Sequence, residues 1–479
     1  MMRLSIGYFF IPISLLTTSC ISMSNKEKNQ NILDQPSLEK SALQALKDTH
    51  FALGDWPHSA WWEMFGSKEL NDLVVEALVS NPTIQAVKEK VESAKQKAII
   101  SRSRLFPLLF FDADESWQWL SKNGLLHTLN PTLSRGANLI DLSFSFNYEF
   151  DFWAKYRNLY QSALGKARAE EAETKERELI VAAAVAQAFF ALKTNLYRKE
   201  LYEQLENVRK KTYVLQRLLQ KKALTSKLVP SFAQERWEEV KKEVATIKKE
   251  IAVNDHVINL LRGKGPDEIL HISCSLDEPP ESMTIPETLS IDLLSRRPDL
   301  MAAIWRVEAL SHDVSAAIAD FLPDINLKGL IGLESLGFNQ LFEASSVTGG
   351  LFPAIHLPVF TAGAIRANVR FHKANFNQAV YDYNELLLKS ANEVADILSI
   401  IESVYAKRKY QKTILECAAF RLDLVSLNFK KGLDDLLQVY AREEEWIEKA
   451  LEDAELIYAQ YAASIKLIKA LGGGYKKEK

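Results

Sequence analysis

The sequence predicts an α+β membrane protein in which long α-helices and amphipathic β-strands form an internal two-fold repeat. Three observations lead to this fold class. Part of the chain is duplicated, a strand-like segment alternates aromatic with polar residues, and two long proline-free runs are rich in helix-forming residues. The net charge of −3 gives no general attraction to nucleic acid, which we therefore do not expect as a partner.

The duplication aligns residues 81–107 with residues 297–323 without gaps, at a shift of 216 residues. From Arg157 and Arg366 onward the shift is 209, so the second copy is seven residues shorter between residues 107 and 157. Each copy has the same predicted order of a helix, two strands, a very long helix and a return helix. The strands are predicted at about 107–118, 139–152, 324–335 and 349–360.

The long helices are predicted from the proline-free runs that begin near residues 155 and 359. A helix of roughly 65 residues would be about 100 Å long, far beyond the ordinary globular range. Apolar residues recur there at spacings of three and four, which predicts helices in coiled-coil contact. The hairpin tips are predicted at residues 221–227 and at Gly432.

The N-terminus has one positive charge, then an apolar run and small residues that end at Cys20, which is typical of a secretory signal peptide. We expect Cys20 to carry a covalent lipid, although Thr17 stands where a leucine is usual; an ordinary signal with a coincidental cysteine is the alternative. The predicted segments are a signal peptide (1–19), a lipidated N-terminus with a flexible or equatorial segment (20–54), repeat 1 (55–265), an equatorial linker (266–287), repeat 2 (288–471) and a C-terminal tail (472–479).

The segment 142–152, LSFSFNYEFDF, is apolar at even positions and polar at odd positions. The polar positions are Ser143, Ser145, Asn147, Glu149 and Asp151. A soluble sheet or a membrane β-barrel could use such a strand. Four strands are too few to close a barrel, since about eight is the working minimum. Several chains that pool their strands would close one, with the aromatic face on lipid and the polar face on a water-filled lumen.

Several motifs in order resemble the TolC/OprM family of outer-membrane efflux proteins, of the NodT-like lipoprotein type. They are Trp61–Trp62 with LNDLVVEALVSNP (70–82), NYEFDFWAKYR (147–157), RRPDLMAA (296–303), PVFTAGAIRA (358–367) and ALGGGY (470–475). The resemblance implies a homotrimer with a long α-helical coiled-coil barrel plus a transmembrane β-barrel of 12 strands, four from each chain. It further implies a lipid-anchored protein that spans the outer membrane and extends into the periplasm.

By the same resemblance, the partners are a periplasmic adaptor and an inner-membrane transporter, and the protein is a passive conduit of an efflux pump for drugs or other small molecules. The implied periplasmic gate lies near Gly432, with Phe429, Asp434, Asp435 and Gln438 as its residues. The carboxylates usual one to two turns beyond the glycine are missing, so Asp434 and Asp435 either form an acidic ring or only solvate the hairpin tip.

Two further positions depart from the family pattern. Ala223 stands where the first hairpin usually has a glycine. Ala154 stands where a glycine normally turns strand into helix, and because alanine lacks the conformational freedom of glycine, we expect a gentler turn there.

Nothing in the sequence indicates an enzyme. The eight histidines show no metal-ligand spacing, no phosphate-binding loop is present, and no cofactor is expected apart from the lipid on Cys20. Two alternatives remain at this stage. One is the outer-membrane exit duct of a type I protein secretion system, which shares the fold. The other is a trimeric structural coiled-coil lipoprotein without channel activity.

Overall fold

The computed structural model describes residues 31–33, 36, 38, 51–132, 134–280, 282–286 and 296–476. The predicted signal peptide and Cys20 lie outside the described residues, and the predicted domain boundaries stay predictions. The strands are β1 (Phe51–Gly54), β2 (Leu108–Trp119), β3 (Gly136–Glu149), β4 (Met283–Pro286), β5 (Asp324–Ser335) and β6 (Val347–His356). The helices are α1 (Lys68–Ser80), α2 (Pro82–Ser103), α3 (Leu125–Leu129), α4 (Lys155–Lys221), α5 (Leu228–Leu261), α6 (Pro298–Ala319), α7 (Ala364–Lys430) and α8 (Leu436–Ala470).

The two copies of the duplicated sequence fold in the same way. Helices α2 and α6 have 22 residues each, and α4 and α7 have 67 residues each. Strands β2 and β5 both have 12 residues and begin 216 positions apart, whereas α4 and α7 begin 209 positions apart. The seven missing residues therefore fall between the end of the first strand and the start of the long helix, as the alignment predicts.

Local signals explain where these elements begin. Asn81 is the N-cap of α2, and its side-chain oxygen accepts hydrogen bonds from the backbone N–H groups of Thr83 at 2.9 Å and Ile84 at 3.4 Å. Pro82 then occupies the first helical turn, where its missing N–H costs nothing. The equivalent Pro298 begins α6 in the same way. The two 67-residue helices each span about 100 Å.

Four strands form one antiparallel sheet in the order β2-β3-β5-β6, and β1 pairs with β4 in a separate parallel pair. Strand β5 has the predicted bounds. Strand β3 runs from residue 136 to 149 instead of 139 to 152, because Leu120 N–H donates to the Arg135 carbonyl at 2.7 Å and extends the ladder at its far end. Strand β6 covers 347–356 instead of 349–360, and Pro358, which lacks an N–H donor, follows it closely.

Helix α4 is the central helix of the fold and packs against α2, α5, α6 and α8. The largest core gathers aromatic and aliphatic side chains around its middle, including buried Phe189 and Phe190, with Phe190 stacked on Tyr461 of α8 at 3.8 Å between ring centroids. Among the described residues, α4 is also the one helix apolar enough to cross a membrane by length and composition. Its apolar stretch is 67% buried, which identifies it as a core helix.

Candidate functional site

The four-stranded sheet has one more polar face and one apolar face. Because residues paired across antiparallel strands point to the same side, the register shows which residues of the other three strands share each face of β3. On the polar face, Ser143 lies opposite Asp112, Asn147 opposite Lys328, and Asp141 between Asp114 and Glu334. The apolar face carries Leu109, Phe111, Phe144, Phe146, Leu327, Ile331, Leu333, Leu351 and Ile355. The face that carries the polar residues of β3 is mixed, because it also holds Leu108, Phe110, Leu330 and Phe352. The opposite face is predominantly apolar, so the two faces differ in the sense that β3 predicts.

Hydrogen bonds join polar groups on that face. The Ser145 hydroxyl donates to Asp112 Oδ2 at 2.7 Å, and the Ser143 hydroxyl donates to Asp141 Oδ1 at 2.5 Å. Several large side chains on the opposite face are exposed in the single chain, with Phe144 at 50% and Leu351 at 69%. An apolar sheet face of this extent needs a covering partner or a membrane.

The residues after β3 turn the chain into α4. Glu149 ends the strand, and its carboxylate accepts a hydrogen bond from the Tyr156 hydroxyl at 2.6 Å. Asp151 lies beyond the strand, where its carboxylate accepts from the backbone N–H groups of Tyr156 and Arg157, both at 2.9 Å. A carboxylate in this position satisfies free donors at the start of the helix. Asp151 was predicted as a strand residue, and the structure places it at the helix N-terminus.

The expectation of a gentler turn at Ala154 is wrong. Ala154 adopts the left-handed conformation, with φ 57° and ψ 28°, and so turns as sharply as the equivalent Gly363, with φ 88°. Asp151 helps to hold this conformation because its carboxylate fixes the first turn of α4 directly after it.

At the second hairpin tip the chain reverses between α7 and α8. Gly432 has φ +75°, and Leu433 N–H reaches back to the Asn428 carbonyl at 2.9 Å, which closes α7 in a Schellman motif. Asp435 is the N-cap of α8 and accepts from the Gln438 backbone N–H at 2.9 Å. These contacts give the predicted gate segment a defined geometry.

Asp434 and Phe429 lie on the same tip. Asp434 Oδ2 accepts from the Asn428 side-chain amide at 3.1 Å, and the Phe429 ring is 40% exposed. The structure thus brings Phe429, Asp434, Asp435 and Gln438 together within one turn-and-cap unit. The first tip closes its long helix in the same way, since Ala223 has φ 59° and Leu224 N–H donates to the Leu219 carbonyl at 2.9 Å. Its return helix α5 differs, because Lys227 at the N-cap makes no side-chain cap hydrogen bond.

An ion cluster around the buried Glu444, which the sequence did not predict, joins the two hairpins. Arg209 of α4 donates to Glu444 at 2.5 Å and to Glu448 at 2.9 Å, both in α8. Arg236 of α5 also donates to Glu444, which is buried. One carboxylate of α8 therefore holds both helices of the first hairpin. No sequence signal identifies such partners, because each arginine lies more than 200 residues from Glu444 and both residue types, Arg and Glu, are common on exposed helix faces.

Within the part of the chain that the structure describes, no group of three or more His, Cys, Asp or Glu residues is placed to hold a metal ion. The functional features are instead a two-faced sheet, helices of about 100 Å attached to it, and two hairpin tips with a left-handed residue at the far end. This combination is typical of outer-membrane channel proteins with a helical extension.

The comparisons with known proteins agree with that class. The model of the outer membrane efflux protein family matches residues 73–255 and 289–473. The chain therefore belongs to the outer membrane efflux protein family, and it is an efflux protein of the outer membrane. The two matched stretches correspond to the two copies of the internal repeat. This assignment argues against the structural coiled-coil alternative.

Relatives and solved structures match along nearly the whole chain. The multidrug resistance outer membrane protein MdtQ of Escherichia coli O6:H1 is 26% identical, over 97% of each chain. The outer membrane protein VceC of Vibrio cholerae is 27% identical with a TM-score of 0.77, over 88% of this chain and 100% of that one. The outer-membrane channel OprN has the same fold, with 21% identity and a TM-score of 0.81, over 93% of this chain and 98% of that one.

Proposed function

We propose that three copies of the chain assemble into the outer-membrane duct of a tripartite efflux pump. Three sheets of four strands would close a 12-stranded transmembrane β-barrel, and the long helices would continue it as a tunnel into the periplasm. The observation that carries this proposal is the sheet, which has an apolar face and two edge strands, β2 and β6, beside which no further strand lies among the described residues. Closure between copies removes both edges.

In this assembly the apolar face of each sheet contacts lipid and the polar face lines the lumen. Ser143, Ser145, Asn147 and Glu149 would then border the conduit, and Asp151 would lie at its junction with the helical tunnel. The hairpin tips, with Phe429, Asp434, Asp435 and Gln438, would form the periplasmic gate. Their position at the end of the long helices, farthest from the sheet, supports this role.

The cargo we propose is drugs or other small molecules, because MdtQ is named for multidrug resistance. The partners are a periplasmic adaptor and an inner-membrane transporter, which supplies the energy. A covalent lipid on Cys20 would anchor the N-terminus in the outer membrane and complement the barrel. The exit duct of a type I protein secretion system is a second candidate, since it uses the same architecture.

The first test is native mass spectrometry of the detergent-extracted mature protein, followed by conductance in planar bilayers. Three chains with the mass of a lipid at Cys20, and discrete conductance steps, are the expected results. A monomer that stays monomeric after cross-linking in the membrane, or a trimer without conductance, would contradict the duct. Affinity capture of the adaptor and transporter from membranes separates drug efflux from protein secretion.

A further inference from the structure

The tip of the first hairpin carries a large excess of positive charge. From residue 207 to 234, at the end of α4 and the start of α5, the chain has seven Lys and Arg residues and no Asp or Glu. The equivalent stretch of the second hairpin, residues 416–443, has four Lys and Arg residues against five Asp and Glu residues. Since the whole chain has a net charge of −3, the excess belongs to this tip and not to the protein in general.

Most of this charge has no counter-charge nearby. Arg209 is paired with Glu444 and Glu448 of α8. The other six cations are exposed and have no ion-pair partner within the described part of the chain; they are Lys210, Lys211, Arg217, Lys221, Lys222 and Lys227. Because like charges on adjacent helix turns repel each other, a partner that supplies carboxylates would be stabilised here.

The exposed side of α4 at this tip has a regular pattern. Every exposed residue between 210 and 222 is a cation or an aliphatic residue. Lys210, Val214, Arg217 and Lys221 are spaced by three and four residues, which places them on one face of the helix. Val214 is 57% exposed and Leu218, beside it, is 52% exposed. This basic tip surface (the exposed residues of 210–222) is therefore an aliphatic stripe bordered by positive charge.

We propose that the basic tip surface docks an acidic amphipathic helix of the periplasmic adaptor. Leucines along one side of such a helix would cover Val214 and Leu218, as in a coiled coil, and glutamates or aspartates beside them would pair with the lysines. The guanidinium of Arg217 can bind a carboxylate through two hydrogen bonds. The surface rests on the proposed function, in which the tips lie at the periplasmic end of the duct.

The tip has its shape before a partner binds. Leu224 N–H donates to the Leu219 carbonyl and closes α4, with Ala223 in the left-handed conformation. Arg209, one turn or less from the first cations of the surface, holds α4 against Glu444 of α8. A preformed surface loses little conformational entropy when it binds, so modest contacts are enough for recognition.

A protein helix fits this surface better than two other occupants. An anionic membrane would attract the cations, but helices that bind a membrane surface lie flat on it. Helix α4 leads away from the sheet and would meet a second membrane with its end only. The second hairpin of a neighbouring copy has nearly balanced charge at its tip, so it lacks the carboxylates to neutralise six cations.

The test uses the full-length protein in nanodiscs of phosphatidylcholine. The probes are a labelled helical peptide of leucine and glutamate heptads, the same peptide with lysine in place of glutamate, and vesicles of phosphatidylglycerol. We expect fluorescence anisotropy to show binding of the glutamate peptide but not of the lysine peptide, with an affinity that falls as salt is added. Arg217→Gln/Lys221→Gln should weaken that binding about fivefold, because exposed ion pairs are individually weak.

The matched control is Lys248→Gln/Lys249→Gln, which removes the same charge from exposed positions of α5 farther from the tip. An equal loss in this control, equal binding of the two peptides, or co-sedimentation with vesicles without binding of the glutamate peptide would overturn the docking surface. Loss of the trimer in Arg217→Gln/Lys221→Gln, seen by native mass spectrometry, would overturn it in favour of a neighbouring copy.

Two readouts of conductance complete the test. If the cations lined the lumen, Arg217→Gln/Lys221→Gln would shift the reversal potential under a salt gradient toward cation preference, and that shift would also overturn the surface. We expect the reversal potential to stay as in the wild type. A trimer that conducts but does not bind the glutamate peptide defeats only the docking surface. Specific binding of that peptide by a protein that does not conduct defeats only the duct.

Discussion

At the scale of single residues, Ala154 adopts a left-handed backbone conformation that an alanine in the sequence does not indicate. A left-handed alanine is strained by about 1–2 kcal/mol, and a glycine at this position would relieve that strain. Part of the gain is lost, because glycine has a greater conformational entropy in the unfolded chain. We therefore expect Ala154→Gly to raise the unfolding free energy by about 0.5–1 kcal/mol, measured as a higher thermal midpoint by circular dichroism. Ala441→Gly, at an exposed position inside α8, should lower it by about 1 kcal/mol. Destabilisation by both variants would show that the Ala154 turn is unstrained.

Glu176 of α4 makes stability depend on pH. Burial, and then the nearby Asp299, raise the pKa of its carboxyl to about 7, while Arg297 and Lys469 act in the opposite direction. Since the folded pKa lies above the unfolded value of 4.5, this contribution to stability is complete below pH 4.5 and is lost as the pH rises through 7. Glu176→Gln should therefore stabilise the protein at pH 8, by up to about 3 kcal/mol, and have little effect at pH 4. If Glu176→Gln raises the free energy of unfolding equally at pH 4 and pH 8, the raised pKa of Glu176 is contradicted.

The charges of Asp434 and Asp435 can be removed without removing the cap of α8. Asparagine also caps helices, so Asp434→Asn/Asp435→Asn keeps the turn and deletes two negative charges per chain. If the tips form the constriction, cation preference should fall, as measured by the reversal potential under a salt gradient. Asp423→Asn, an exposed change farther up α7, is the control. An unchanged reversal potential would restrict Asp435 to capping α8 and Asp434 to its hydrogen bond with Asn428.

At the scale of elements, the buried Glu444 joins α8 to the first hairpin. Glu444→Gln removes the charge that Arg209 and Arg236 share, and we expect the free energy of unfolding to fall by about 1–3 kcal/mol. Helix α8 leads directly to the second tip, so the loss of this ion pair should weaken the attachment of that tip to the first hairpin. We therefore expect the single-channel conductance in bilayers to increase. Glu443→Gln, the neighbouring residue without an ion pair among the described residues, should conduct like the wild type. If Glu444→Gln lowers the thermal midpoint of unfolding and leaves the conductance unchanged, the ion cluster stabilises the fold and does not control the channel.

The helices, strands and turns differ in how well the sequence predicts them. The repeat, the long helices and the positions of the two hairpin tips are encoded in the sequence, by periodicity, proline placement and the equivalence of Ala223 with Gly432. The shared carboxylate of Glu444 is not, because it depends on how segments more than 200 residues apart meet. The cap by Asp151 is local, but the alternation of the strand hides it. A strand pattern that continues to residue 152 cannot reveal that the last residues leave the ladder to start a helix.

At the scale of the whole molecule, the proposed barrel makes opposite predictions for neighbouring residues of β5. Ile331 is on the apolar face, paired with Phe144, and Leu330 is on the polar face, paired with Ser145. A lysine on the lipid face near the middle of a bilayer costs about 2–4 kcal/mol per chain, whereas a lumen position keeps it in water. Ile331→Lys should therefore reduce the yield of folded trimer and Leu330→Lys should not, as judged by unheated gel electrophoresis of outer membranes. If both variants assemble equally well, or if Leu330→Lys is the worse one, the apolar face does not contact lipid and the barrel is wrong.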